Sequence, residues 1–185
     1  MLNLKSLTAG VHSNAVDHGW WEEERNFGEL IALCHSELSE ALEEYRNGTM
    51  LNETYYSGKN EYGQLMQSHE KTENCKKPEG IPSELSDVVI RVLDMCGKEG
   101  LQEVIYFYRK ELKLKALSFP EFITECHTEL TKAYTQKAGS YPRLVNCINL
   151  IFAYAKQNGI NIEAAILEKH EFNKTRPYKH GGKVI

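Results

Sequence analysis

Glu37 and Glu40 stand three positions apart, and so do Glu84 and Asp87. On a helix that spacing turns both members of a pair to one side. Glu44 continues the first row by one turn, and Arg91 and Asp94 extend the second. Each pair borders an apolar stripe. If the two helices pack through those stripes, four carboxylates converge at the edge of the core. Carboxylates so close raise one another's pKa, and a hard divalent cation removes the conflict. Magnesium takes carboxylate oxygens, keeps some waters and completes its shell with substrate phosphates. Manganese suits the same donors. Ions held by Glu37, Glu40, Glu84 and Asp87 can polarise a phosphoryl oxygen and activate a water, which Glu37 or Glu40 is suited to orient.

Such pairs are also common on solvated helix faces, and ELSEALEE alone reads that way. Two pairs on two helices, each joined to an apolar stripe, weigh towards a metal. A ferritin-like di-metal bundle needs Glu-x-x-His on two helices, and no histidine here has a glutamate three residues before it.

The C-terminal stretch KHEFNKTRPYKHGGKVI gathers Lys169, Asn173, Arg176, Lys179, His180 and Lys183. Arginine can grip a phosphate with two bonds and lysine supplies a point charge. Gly181 and Gly182 free the backbone to approach an anion. Lys169, Asn173, Arg176 and Lys183 are the candidate phosphate contacts. A frayed basic tail is the plainer alternative. In HGWWEEE, Trp20 is the candidate for stacking on a base. Neighbours on a helix point about 100° apart, so Trp20 and Trp21 are not expected to serve one ligand.

The elements that must position these groups read as helices throughout. Apolar periodicity predicts helices at 3–17, 26–46, 83–98, about 102–116, 120–137, 142–157 and 161–172. Pro82, Pro120 and Pro142 mark helix starts, and no run reads as a strand. Residues 47–82 are polar and too long for an ordinary connection in a compact bundle. They are expected to form a mobile surface loop or, alternatively, an active-site lid.

Part of this pattern occurs twice. CHSELSEA (34–41) is matched by CHTELTKA (126–133), FGELIALCHSELSEA by FPEFITECHTELTKA, and residues 83–101 by residues 142–160 without gaps. An all-α bundle built from a tandem duplicated helical unit follows. Residues 1–185 form one domain, with a first unit at 1–116 and a degenerate second unit plus basic tail at 117–185. Only the first keeps the acids: Glu40, Glu84 and Asp87 correspond to Lys132, Arg143 and Asn146 in the second, which retains Glu129 alone. His35 and His127 occupy equivalent places, which favours a structural role. Such a chain mimics a dimer while monomeric, though two copies can still associate.

At 185 residues the chain can bury a real core. Its formal charge of -4 argues against general nucleic-acid binding. No run of apolar residues is long enough to span a membrane. The five cysteines include no CxxC pair, and Cys34, Cys96, Cys126 and Cys147 read as core residues. A reducing, cytoplasmic setting is the expectation.

ELSEALEEYRNG (37–48), followed by KPEGIPSELSDVVIRVLDMCGKEG (77–100), resembles the MazG-like all-α nucleoside triphosphate pyrophosphohydrolases. The ending KHEFNKTRPYKHGGK (169–183) is similar to the tail of some members. The resemblance implies hydrolysis of a nucleoside triphosphate between its α and β phosphates, with magnesium on Glu37, Glu40, Glu84 and Asp87 and a metal-bound water as nucleophile. Two alternatives stay open: a nucleotide-binding regulator that does not hydrolyse, and a hydrolase of another pyrophosphate bond, such as that of phosphoribosyl-ATP. The long 47–82 segment and the degenerate second unit depart from the simplest members.

Overall fold

A computed structural model describes residues 2–103, 105, 110–136 and 139–182. Six long helices dominate the described residues: α1 Leu4–Asp17, α2 Phe27–Arg46, α3 Ile81–Lys98, α4 Phe119–Thr135, α5 Ser140–Gln157 and α6 Ile162–Lys174. Three short strands lie between α2 and α3: β1 Tyr55–Lys59, β2 Leu65–Ser68 and β3 Cys75–Glu79. The architecture is therefore mostly helical with a small sheet, not all-α.

Helix α3 is the centre. Ile81, Leu85, Val88, Val89, Val92, Leu93 and Cys96 are fully buried along it, because α1, α2, α5 and α6 all pack around it. Gly97 lets α1 come close, since a Cβ there would lie 2.5 Å from the Cβ of His12. Helices α2 and α3 pair on one side, α4 and α5 on the other, and α2 also lies against α4. Phe122 of α4 and Tyr154 of α5 stack with centroids 4.0 Å apart. Local signals fix the helix starts. Asn26 and Glu29 form a capping box for α2, and Ser118 and Glu121 form one for α4. All five cysteines are buried and free, Cys75 among them. No described helix is long and apolar enough to cross a membrane.

The sheet corrects the expectation that no run forms a strand and that 47–82 is an irregular loop. Its order is β2-β1-β3, all antiparallel. It was hidden from periodicity because β2 is exposed almost throughout and β1 only half-buried, so no alternation of apolar and polar residues is written. Two tyrosine hydroxyls of β1 help tie the sheet down. The Tyr55 hydroxyl donates to Glu44 on α2 at 2.9 Å, and the Tyr56 hydroxyl donates to Glu168 on α6 at 3.0 Å.

Of the helix expected at 102–116, residues 104 and 106–109 lie outside the described residues, and 110–118 form no regular element. The Lys110 amide donates to the Asn149 side chain on α5 at 3.0 Å, which takes it out of any helical ladder.

Candidate functional site

Capping, apolar packing and one tight corner bring α1, α2, α3, β3 and α6 around a cavity of about 220 Å³. Helix α3 forms its floor. Because a helix rises 1.5 Å per residue, Glu84 and Asp94 lie about 15 Å apart along that floor. Glu84, Asp87, Lys77 and Lys169 gather at one end, whereas Asp94, Trp21, Trp20 and Arg25 form the other.

At the charged end, one carboxylate oxygen from each of Glu37, Glu84 and Asp87 lies within 4.8 Å of the others. Glu37 and Glu84 are buried. Glu40 does not join them. It is exposed at the rim of the same cavity, where its carboxylate accepts from the Ser36 hydroxyl at 3.1 Å. The quartet anticipated from spacing is thus a buried trio with a fourth carboxylate at the mouth.

Burial sets the electrostatics. It pushes Glu84 up to about 8, with Lys169 opposing and Asp87 and Glu37 adding to the rise. It also raises Glu37, against the pull of Arg91. The Arg91 Nε donates to Glu37 Oε1 at 2.8 Å. Lys169 is 1% exposed, and its Nζ reaches Asp87 Oδ2 at 2.9 Å, Ser83 Oγ at 2.8 Å and the Pro78 carbonyl at 3.2 Å. Burial alone would lower its pKa, but Asp87 and Glu84 more than restore it. Its three donors are all engaged by protein acceptors. Lys169 is thus the counter-charge to Asp87 and a brace for the start of α3, and no donor remains for a phosphate.

Two other residues of the C-terminal stretch are differently placed. Among the described residues the half-buried Arg176 guanidinium has no hydrogen-bonded or ion-paired partner, and it lines the cavity. Burial lowers its pKa. Asn173 also lines the cavity, and its buried Oδ1 has no partner. An amide oxygen accepts only, so a hydroxyl or amino group suits it better than a phosphate oxygen. Lys183 lies outside the described residues.

The stretch is held in place by His18. Its Nε2 contacts the Arg176 carbonyl at 2.9 Å, and its own carbonyl accepts from the Lys179 amide at 3.0 Å. Gly19 turns the chain with φ +77°, and any Cβ there would strike the Tyr178 ring.

Both tryptophans line the cavity, because 18–26 is a turn and not a helix. Trp20 has the Arg25 guanidinium over its ring at 5.2 Å and His180 edge-on at 4.9 Å. The Trp21 indole N–H donates to both Asp94 oxygens at 3.0 and 3.2 Å, and His12 Nδ1 contacts the same carboxylate at 2.7 Å. Trp21 is thereby a fixed wall.

On α4 and α5 the equivalent residues form an internal ion cluster. Glu129 is bonded by Lys132 at 3.1 Å, Arg143 at 3.4 Å and Asn146 at 3.2 Å. Partial burial would raise Glu129, but hydrogen bonds from Lys132 and Asn146 and the two cationic charges hold it below its ordinary value.

Sequence reasoning missed Lys77, Arg25 and Asn14 as cavity residues. Lys77 sits in the segment with no periodicity, and only its closeness to the α3 start at Pro82 pointed to it.

The trio offers only carboxylate oxygens, the donor set that magnesium or manganese takes. Raised carboxylates beside an unpaired guanidinium and an orphaned amide suit a cation and a polar anionic ligand together. No family model matches the chain, and neither a curated protein nor a solved structure matches it.

Proposed function

We propose that the chain is a magnesium-dependent nucleoside triphosphate pyrophosphohydrolase with one working site, on α2 and α3. The observation that carries this reading is the pairing, in one cavity, of a buried carboxylate trio with the unpaired Arg176 guanidinium. The first asks for a cation and the second for an anion, and a metal-bound phosphate chain supplies both.

In this reading Glu37, Glu84 and Asp87 hold magnesium, or manganese in its place. The chemistry such an ion supplies is polarisation of a phosphoryl oxygen and acidification of a water. Glu40 accepts a proton from the attacking water, a role supported by its exposure beside the trio. Water adds at the α-phosphorus, the bond to the α,β-bridging oxygen breaks, and monophosphate and pyrophosphate leave. Arg176 binds phosphate oxygens, and Asn173 accepts from a sugar hydroxyl or base amino group. Trp20 borders the nucleoside. The likeness of 37–48 and 77–100 to the MazG-like enzymes supports the substrate class.

We further propose that the chain is a tandem duplication whose second unit, from 117 onwards, has no acidic site of its own and lends its C-terminal tail to the site of the first. Supporting this, α2 and α3 pair as α4 and α5 do, and Glu129 occupies the place of Glu37 with Lys132, Arg143 and Asn146 bonded to it. A reducing cytoplasmic setting suits five buried thiols without a disulfide.

The salt bridges Arg91–Glu37 and Lys169–Asp87 favour a second reading, because they already offset part of the trio's charge. In it the site binds nucleotide without turnover. A panel of nucleoside triphosphates with magnesium, scored for pyrophosphate and monophosphate, separates the two. Phosphoribosyl-ATP in the same panel tests the related bond. Pyrophosphate release lost in Glu84→Gln supports the first reading, and tight binding with no product from any substrate overturns it.

A further inference from the structure

Strand β3 contains an irregularity that changes what its side chains face. Ser57 pairs with Lys77, yet the next residue, Gly58, pairs with Cys75, so Lys76 is an extra residue in β3. Gly58 is required there, because a Cβ would lie 1.6 Å from the Asn74 carbonyl oxygen. Bulges of this kind re-aim the side chains that follow them. Cys75 and Pro78 are buried on one side, whereas Lys77 and Glu79, two apart, share the other. In a regular alternating strand Lys77 would share the buried side of Cys75. The bulge breaks that alternation, and Lys77 lines the cavity.

The Lys77 ammonium rests on both oxygens of Glu79, at 2.7 and 2.9 Å. Glu79 is itself fixed by the Ser57 hydroxyl at 2.6 Å. Its charge contributes to the raised pKa values of both Glu84 and Lys169. An anion at this end of the cavity therefore meets Glu79 unless a cation stands between them. Lys77 is 42% exposed and Glu79 15%, so the lysine can turn outward while the glutamate stays. Lys77 also lies next to Pro78, whose carbonyl accepts from Ser83 at the start of α3 and from Lys169, whereas Trp21 is bonded to Asp94, ten residues on from Glu84 along the same helix. A nucleotide whose nucleoside lies at the aromatic end presents its outermost phosphate here.

We propose that Lys77, aimed by the β3 bulge, binds the terminal phosphate of the substrate and makes the site select triphosphates over diphosphates. This rests on the nucleotide reading of the cavity but not on turnover. The test is calorimetric binding of one nucleoside's triphosphate and diphosphate, with manganese, to the wild type and to Lys77→Gln and Lys77→Arg. Manganese binding alone and the thermal midpoint are followed in parallel. Triphosphate affinity falls about tenfold in Lys77→Gln, as for one charge-assisted hydrogen bond. Diphosphate affinity, manganese affinity and the midpoint stay unchanged, and Lys77→Arg restores most of the loss. A loss equal for both nucleotides, or no loss, overturns the proposal and leaves the hydrolase reading intact. A selective loss in a protein that releases no pyrophosphate upholds it and overturns hydrolysis instead. A wild type that binds neither nucleotide overturns both.

Discussion

His35 on α2 and His127 on α4 lie face to face, with ring centroids 4.9 Å apart, planes within 11° and Nδ1 atoms 2.6 Å apart. One Nδ1 must donate and the other accept, so the contact exists only while at least one ring is neutral. Burial holds both below the ordinary histidine value, and His35 adds to the effect on His127. Among the described residues no carboxylate is bonded to either ring. A histidine lowered in the folded state contributes stability that is present above its unfolded pKa of about 6.5 and is lost as pH falls. The thermal midpoint is therefore expected to drop between pH 7.5 and 5.5. His127→Gln flattens that dependence, and a slope unchanged in the variant shows that the pair does not cause it.

Glu84→Gln replaces a carboxylate that burial disfavours. In the absence of divalent ions the variant is expected to melt above the wild type. Magnesium or manganese at about a hundredfold excess over its Kd is expected to stabilise the wild type by about 2.7 kcal/mol. The variant loses that gain. Melting curves with and without ion read both effects, and an ion-dependent gain that survives in Glu84→Gln removes it from the ligand set.

Lys169→Met leaves Asp87 without its partner in a buried setting. Breaking such a pair costs about 3–5 kcal/mol, read by urea denaturation. A lysine whose job was to grip phosphate would leave stability unchanged and reduce only nucleotide affinity.

Arg176→Gln is the converse. Its guanidinium has no partner among the described residues, so little stability is lost. Triphosphate affinity falls by about tenfold or more, the loss expected when a charged donor to phosphate is removed. Calorimetry and a urea titration on the same sample distinguish this from a folding defect.

The trio was legible because its members recur at helical spacing beside apolar stripes, and packing those stripes together brings Glu37 to Glu84 and Asp87. The place of Glu40 was not legible. Three residues on a helix leave a 60° offset, and which member turns inward depends on how α2 lies against α3. Lys169 misled for a similar reason. A lysine in a basic stretch looks available, and only tertiary packing shows that Asp87, Ser83 and Pro78 take its donors. The helices of the bundle carried their signals in caps and periodicity. The sheet carried none, since it rests on a bulge, a glycine and hydroxyl bonds to distant glutamates.

The buried thiols have a practical consequence. Burial pushes Cys96 up to about 12 and raises Cys34 and Cys126 as well. A thiol reagent attacks the thiolate, so labelling must wait for the chain to open. Cys34, Cys96, Cys126 and Cys147 sit in the helical core, while Cys75 is the first residue of β3. The chain thus carries its own two-channel clock. Modification of Cys75 times the lifting of the sheet, and modification of the other four times the opening of the bundle.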